Sequence, residues 1–470
     1  MMTREQRQQA VALIQQALPE LEWTLQPAKI KRLSRDFHWF SPVLNQQLEG
    51  KQADAVVRPR DQEELRQLVA ACVAQQLPLT LRGSATGNYG QLVPLEGGVL
   101  VDMTALNRIC ELKNGTVRAQ AGIRLAEIEA ATHPTGWELR CMPSTFRLAS
   151  LGGLYCGGFG GIGSINYGPL AAPGNVLSVK VMTVEASPRV LTIPAPQALL
   201  LHHAYGSNGI ILEVELALAP VHRWIERLDV FDDFADALNY ANECLRSPGF
   251  VKRQLALLAA PIPDYFSHLN GHYRAGQHAV ISVIAEESEG LCTGLMLKHR
   301  GENAIRQSSD EARESHTSLM EYCWNHTTLH ALKVDNTLTY LQTAFNYQHF
   351  PKQILQMEQR FAGEVISHIE FLRDNDGNIT ASGLQLVRYS TEERLNEIMQ
   401  IFRDNDIKIN NPHVFQVEDG KQGIIRPDVV AVKQYIDPDG LLNPGKLRGW
   451  ALRDQLVLGK VRISGEILLG

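Results

Sequence analysis

Between Pro143 and Gly168 the chain reads P-S-T-F-R-L-A-S-L-G-G-L-Y-C-G-G-F-G-G-I-G-S-I-N-Y-G, and about half of Gly152–Gly168 is glycine. A packed helix or strand rarely tolerates that density, because each glycine adds backbone entropy that folding must remove. A flexible linker is one reading. Linkers are mostly polar, however, whereas Leu151, Leu154, Tyr155, Phe159, Ile162 and Ile165 interrupt this run. Apolar side chains interleaved with glycine suit a backbone pressed against a large flat ligand while the chain stays folded.

A second glycine-bearing stretch lies upstream. Arg82–Gly90 reads R-G-S-A-T-G-N-Y-G and follows the strand-like Leu77–Leu81. Small residues let main-chain N–H groups turn toward phosphate oxygens, and Gly83, Gly87 and Gly90 permit the positive φ angles that such a nest needs. Arg82 at the mouth adds charge. A plain polar turn between strands is the alternative. The lead-in favours a ligand loop. Asp61 and Glu64 form a D-x-x-E capping box after Pro59, and Leu65, Leu68, Val69, Cys72 and Val73 repeat as one helical face. With Val56–Val57 and Leu79–Leu81 as strands, this is a β-α-β unit ending in the loop. Val99–Val101 and Thr116–Ala121 read as further strands and Leu125–Ala131 as a helix, so the region is mixed α/β.

Two further segments complete a pattern. Gly206-Ser207-Asn208-Gly209-Ile210-Ile211-Leu212-Glu213-Val214 is a turn feeding a strand, or an ordinary hairpin. Asp437–Leu447 reads D-P-D-G-L-L-N-P-G-K-L, a double turn. In this order the four segments resemble the FAD-binding family of vanillyl-alcohol oxidase and p-cresol methylhydroxylase, in particular the branch of the glycolate-oxidase flavin subunit and D-lactate dehydrogenases. The resemblance covers Ala53–Pro220 and the tail around Asp437–Leu447.

That resemblance implies an α+β fold: a two-subdomain FAD-binding unit of the p-cresol methylhydroxylase type, plus an α/β cap with an antiparallel sheet. It implies an N-terminal arm over 1–52, the FAD unit over 53–220, a substrate-binding cap over 221–425, and a return to the FAD unit over 426–470. The family's pyrophosphate loop falls on Arg82, Gly83, Ser84, Ala85, Thr86, Gly87 and Asn88. Its second cofactor segment matches Pro143, Ser144, Thr145, Ser150, Gly152, Gly153, Gly157 and Gly158. Gly209, Ile210 and Ile211 would meet the adenine end, and Asn443 and Lys446 would approach the isoalloxazine. Covalently flavinylated members carry a histidine in the first loop. Here Gly83-Ser84-Ala85-Thr86 has none, so FAD is expected to be held non-covalently. Cys156 stands where the family usually has asparagine.

Composition narrows the class. The 470 residues suffice for two or three domains, and 44% hydrophobic residues is ordinary for globular cores. A formal charge of −6, with no basic run, argues against a nucleic-acid partner. Met1–Glu20 is polar and lacks a secretory apolar core, and no apolar run approaches the ~18 residues of a transmembrane helix. Seven cysteines without C-x-x-C indicate reduced thiols and a cytoplasmic location, with peripheral membrane attachment left open.

After Pro220 the character changes to strand-like Trp224–Val230, a helix over Asp233–Leu245, strand-like Val280–Glu286 and a charged helical stretch Arg306–Tyr322. A cap over a flavin needs an apolar shielded space with few oriented polar groups. Glu321–Thr328 gathers Tyr322, Trp324, Asn325 and His326, and Lys333, Asp335, Tyr340 and Gln342 follow. This cluster reads as a site lining or as a helix end. His368 and Glu370 share one strand face, with Asn411-Pro412-His413 downstream. Joined by His413 they could hold a divalent metal or place an imidazole base, though a structural His368 is the favoured reading and no metal is expected. The branch's H-x-G-D-G-N-x-H and E-H-G motifs are not intact here.

The expected activity is oxidation of an alcohol or 2-hydroxyacid, with hydride passing to flavin N5 and His413, or else His326, taking the hydroxyl proton. The catalytic candidates are therefore His413, His326, Asn325, His368 and Glu370. Arg373 or Arg388 could meet a substrate carboxylate, whereas Tyr322–Asn325 and Tyr347 suit a sugar, lactone or phenolic alcohol. The partner is a small molecule, the electron acceptor is oxygen, a quinone or a protein, and a homodimer stays open. Two rivals remain: a flavin reductase of the UDP-N-acetylenolpyruvylglucosamine kind driven by NADPH, and a non-catalytic flavin subunit of a larger complex.

Overall fold

Asp61 starts the helix Gln62–Ala74, its carboxylate accepting the N–H groups of Glu63 and Glu64 at 2.9 Å. The expected reciprocal bond is absent, because Glu64 turns to the Arg60 backbone and guanidinium. Leu65, Leu68, Val69, Cys72 and Val73 are all buried, as their helical period requires. Burial of each large aliphatic side chain contributes roughly 1.5–3 kcal/mol. The computed structural model describes residues 2–458, 461–463 and 466–468.

The helix connects strands Ala55–Arg58 and Leu79–Arg82, which both run parallel to Val99–Asp102 lying between them. Glu22–Thr24 adds an antiparallel edge, so the N-terminal stretch is woven into this first sheet. Its other end is closed by the C-terminal turn: Leu79 donates to the Leu441 carbonyl at 2.9 Å, and Asn443 donates to Leu79 at 2.7 Å. The second sheet is antiparallel around the long strand Ile210–Pro220, flanked by Thr116–Gln120 and Val176–Met182. Gly206–Gly209 is therefore the entry to a central strand.

The third sheet has eight strands, all paired antiparallel, with Lys252–Leu258 and His368–Arg373 adjacent near its middle. The stretch Arg306–Tyr322 is not one helix. Glu302–Ser308 pairs with Trp224–Phe231, and Ser308 then caps a short helix Ser309–Ser315. Pairing with an existing strand outweighs the helical propensity of the charged residues.

A buried charge cluster clamps the third sheet to the glycine-rich region. Arg253 lies 3.1 Å from Glu129 and 3.3 Å from Glu138, and its carbonyl accepts the N–H of Gly163 at 2.9 Å. Glu129, His133 and Glu138 could together hold a metal ion, but Arg253 already supplies the cation between the two carboxylates. Among the described residues, no helix is long and apolar enough to cross a membrane.

Candidate functional site

The two glycine segments face each other across one cavity of about 680 Å³. Its first wall is the loop after strand Leu79–Arg82, from Gly83 to Asn88. Its second is Pro143–Thr145 with the start of the helix Leu151–Gly157, so part of the glycine run is helical. Ser150 caps that helix, accepting from Gly153 N–H at 3.3 Å. The third wall comes from the other sheet and its loops: Trp324, Asn325, Gln342, Ser382, Asn410 and Asn411.

The glycines are required by space more than by φ. In the loop, positive φ falls on Ala85 (60°) and Gly90 (68°) and not on Gly83 or Gly87. A Cβ on Gly83 would stand 2.1 Å from Ser150 Oγ, and one on Gly152 would stand 2.7 Å from Ala121 Cβ. Across the cavity, a Cβ on Gly160 would come 3.2 Å from the Trp324 ring. The backbones approach so closely that side chains are excluded, which leaves main-chain N–H groups as the surface a ligand meets.

The expected cofactor residues divide into two groups. Arg82–Asn88, Pro143–Thr145, Ser150, Gly152, Gly153, Gly157, Gly158 and Ile211 line the cavity. Gly209, Ile210, Asn443 and Lys446 do not. Ile210 is fully buried in the core, and Gly209 packs against Val181 and Ile436 with φ 82°. Asn443 donates to the carbonyls of Gln91 (2.9 Å) and Tyr205 (2.6 Å), and Lys446 to that of Gly90 (2.6 Å). Both brace the loop from behind. Burial pushes the Lys446 pKa down to about 7. Arg82 is likewise a brace: it bonds the carbonyls of Leu33 and Gly83 and lies 3.9 Å from Asp102.

Of the catalytic candidates, only Asn325 lines the cavity. His413 is buried away from it, donating Nε2–H to the Tyr340 carbonyl at 2.9 Å and accepting at Nδ1 from Ser41 at 2.8 Å. Burial lowers its pKa to about 4. With both nitrogens engaged it is a structural histidine. His326 also lies behind the wall; burial, then His330, lowers its pKa to about 4. Glu370 accepts the Trp324 backbone N–H at 2.6 Å, the His368 ring at 2.8 Å and the Gln254 amide. These groups hold Trp324 at φ 52°, a conformation non-glycine residues rarely adopt. Arg388 pairs with Asp335 at 3.1 Å and Arg373 caps the carbonyl of Gly377, so neither guanidinium is aimed at the cavity.

Sequence reasoning passed over His202, His203 and Lys421, which line the same cavity. The adjacent histidines just ahead of Gly206 were a usable signal. Lys421 sits in a loop whose fold had no local pattern.

The family profile described as FAD binding domain matches residues 53–192, which carry both glycine segments. Residues 53–192 form an FAD binding domain. Over 188 residues the chain is 29% identical to an uncharacterized FAD-linked oxidoreductase of Mycobacterium tuberculosis, covering 38% of this chain and 40% of that protein. It is 30% identical over 173 residues to glycolate oxidase subunit GlcD of Escherichia coli, covering 35% and 34%. It is 25% identical over 206 residues to a D-lactate dehydrogenase of Archaeoglobus fulgidus, covering 41% and 44%. The matches thus span less than half the length of these relatives. The fold as a whole is similar to that of an alkyldihydroxyacetonephosphate synthase, with TM-score 0.67 at 14% identity over 94% of this chain and 86% of that one.

The residues present fit FAD. The side-chain-free cradle at Gly83, Gly152 and Gly157 suits a pyrophosphate. At the loop's end, Asn88 Nδ2 is buried without a hydrogen-bond partner among the described residues, a donor that a polar ligand would satisfy.

Proposed function

We propose that the protein is an FAD-linked oxidoreductase that oxidises a small alcohol or 2-hydroxyacid, with the cofactor held non-covalently. The observation that carries this reading is the pairing of walls around the cavity. Glycine-lined backbone on one side suits the cofactor, and an indole with several amides on the other suits an oriented polar substrate. Bound FAD supplies the two-electron acceptor. The chain's own residues bind and orient: Gly83–Asn88 and Ser150 hold the cofactor, while Trp324, Asn325, Gln342 and Asn411 shape the space that excludes water. The proposed division places the cofactor unit at 53–220 and the substrate-binding unit at 221–425. The loop Gly83–Asn88 lacks the histidine to which flavin is attached in covalent relatives, which supports a dissociable cofactor.

Visible absorption of the purified protein tests this directly, followed by acid precipitation and anaerobic addition of alcohols and hydroxyacids. The expected result is a yellow protein, a yellow supernatant, and bleaching by one panel member. A colourless protein that FAD cannot reconstitute overturns the reading. Bleaching by NADPH alone replaces it with a reductase, and a yellow protein that no donor bleaches replaces it with a flavin-carrying subunit.

A further inference from the structure

From Leu25 to Arg35 the chain carries Lys29, Lys31, Arg32 and Arg35 and no acidic residue, although its formal charge overall is −6. Ile30, Leu33 and Ser34 space these cations in the sequence, and the fold takes the spacers away. Helix Pro27–Leu33 packs Ile30 and Leu33 against Ala53, Val56 and Leu100. Ser34 is buried, its Oγ accepting the Ala53 N–H at 3.1 Å. All four cations are left exposed on the outer face.

None of them has an ion-pair partner among the described residues. Elsewhere exposed arginines find a carboxylate three or four residues away, as Arg60 does in Glu64 and Arg313 in Asp310. The next carboxylate along the chain, Asp36, turns inward to the His38 N–H at 3.0 Å and the His38 ring at 2.9 Å. Local helix stability does not account for the arrangement. Lys31 and Arg32 suit the last turn, but Lys29 stands in the first, where the helix dipole disfavours a cation, and three residues from the like charge of Arg32.

An aromatic side chain completes the face. Trp39 is 44% exposed, with Phe37 and Phe40 beneath it at ring-centroid distances of 6.0 Å and 4.8 Å. Four residues of chain reach at most ~14 Å, so the indole stays close to Arg35. Trp and Arg are the side chains that most often dominate protein–protein contacts. The face also backs onto the cofactor loop. Arg82 donates to the Leu33 carbonyl at 3.1 Å, and the Phe37 N–H donates to that of Gly87 at 2.8 Å. Burial first, and Arg32 as well, depress the Arg82 pKa against the pull of Asp102, so the positive field extends to the start of the loop.

The chemistry of the face selects its occupant. A membrane fits poorly, because the helix turns its apolar residues inward and offers no apolar stripe to lipid. Nucleic acid fits poorly too, since four cations neutralise few phosphates and the charge of the whole protein opposes approach. An acidic polypeptide matches the charge and can cover the indole with an apolar side chain. We propose that Lys29, Lys31, Arg32, Arg35 and Trp39 form a docking face for an acidic segment of a partner protein. The partner then lies against the segment that braces the loop Arg82–Asn88. The inference does not depend on which substrate the cavity takes.

The test is fluorescence anisotropy of a labelled peptide of repeating Glu-Glu-Leu, titrated with the purified full chain at low salt. The same peptide with glutamine in place of glutamate is the control. The expected result is tighter binding of the acidic peptide. Lys29→Gln, Lys31→Gln and Arg35→Gln combined should weaken it by about tenfold, the effect of a few exposed charge pairs, with FAD content and melting temperature unchanged. Trp39→Ser should weaken it with every charge in place. Lys352→Gln, Arg360→Gln and Lys408→Gln combined remove the same charge from another surface and should leave the affinity at the parental value. Equal loss in the two triple variants overturns the proposal, by reducing the attraction to overall charge. A parent that does not prefer the acidic peptide overturns it as well. So does binding to phosphatidylserine vesicles or oligothymidylate that the first triple variant loses and excess acidic peptide fails to displace, which assigns the face to lipid or nucleic acid. Loss of FAD from the first triple variant also overturns it, by making the cations part of the loop's support.

Discussion

The backbone N–H of Trp324 donates to the Glu370 carboxylate at 2.6 Å, so a buried strand residue fixes an aromatic wall of the cavity. Trp324 holds φ 52° against its own preference, and its indole N–H reaches Gln254 Oε1 at 3.3 Å. Gln254 in turn donates to Glu370. The carboxylate is thus the hub on which the ring's position depends.

Glu370→Ala leaves the Trp324 N–H, the Gln254 amide and the His368 ring without their shared acceptor. Removing one partner from such a buried network costs about 3–5 kcal/mol. The expected outcome is a lower melting temperature with a changed tryptophan emission spectrum. A variant that melts with the parent would show that Trp324 is held by packing alone.

Gly83→Ala brings a methyl group to within 2.1 Å of Ser150 Oγ, at the base of the cradle. Ser150 must then move, and its bond to Gly153 is lost. FAD affinity should fall by about tenfold or more, as 1.4 kcal/mol is a factor of ten. Ala85→Gly is the control: φ 60° suits glycine better than alanine, so FAD binding should persist. Equilibrium dialysis against FAD checks both. A Gly83→Ala protein with parental affinity would mean that the cradle is elsewhere.

The division between what the sequence disclosed and what it hid follows a physical line. Glycine segments were legible because close backbone approach leaves no other residue type, and the helix Gln62–Ala74 because one face had to be apolar. Histidine roles were not legible. His413 and His202 are the same chemistry in sequence, and only tertiary contacts decide that Tyr340 and Ser41 occupy one while the Nε2 of the other has no hydrogen-bond partner among the described residues. The turn D-P-D-G…N-P-G-K is legible as a turn, but its side chains' roles are not: Asn443 and Lys446 support the loop carbonyls and do not enter the cavity.

Arg253→Met removes the cation between Glu129 and Glu138. Burial opposes the Glu129 charge, but Arg253, His133 and the Leu139 N–H outweigh it and hold its pKa at about 2, below the ordinary 4.5. A depressed carboxylate stabilises the fold above its unfolded pKa, and that contribution is lost as pH falls from about 4.5 to about 2. Glu138 moves the other way, raised by burial more than Arg253 lowers it, so it offsets part of the effect. At neutral pH the variant should lose about 3–5 kcal/mol, because two carboxylates are left buried without their cation. Its deficit should shrink as both protonate at low pH. Denaturant melts at pH 7 and pH 4 check this, and a deficit that does not shrink would show that lost packing, not charge, is responsible.

Lys446→Met probes the opposite sign. Burial brings the Lys446 pKa from 10.5 to about 7 in the folded protein. Between those values the unfolded chain binds one more proton than the folded one, so this residue makes stability rise with pH across that window. The slope is at most about 1.4 kcal/mol per pH unit. Below about pH 7 the folded protein carries the buried charge, and the penalty is at its full size. In the methionine variant this rise should vanish, with the largest relative gain near pH 7. The hydrogen bond to Gly90 is lost at the same time, which lowers stability by a pH-independent amount and weakens FAD binding through the loop. Denaturant melts from pH 7 to pH 10 on parent and variant separate the two effects. Parallel stability curves would mean that the folded lysine keeps an ordinary pKa and is solvated.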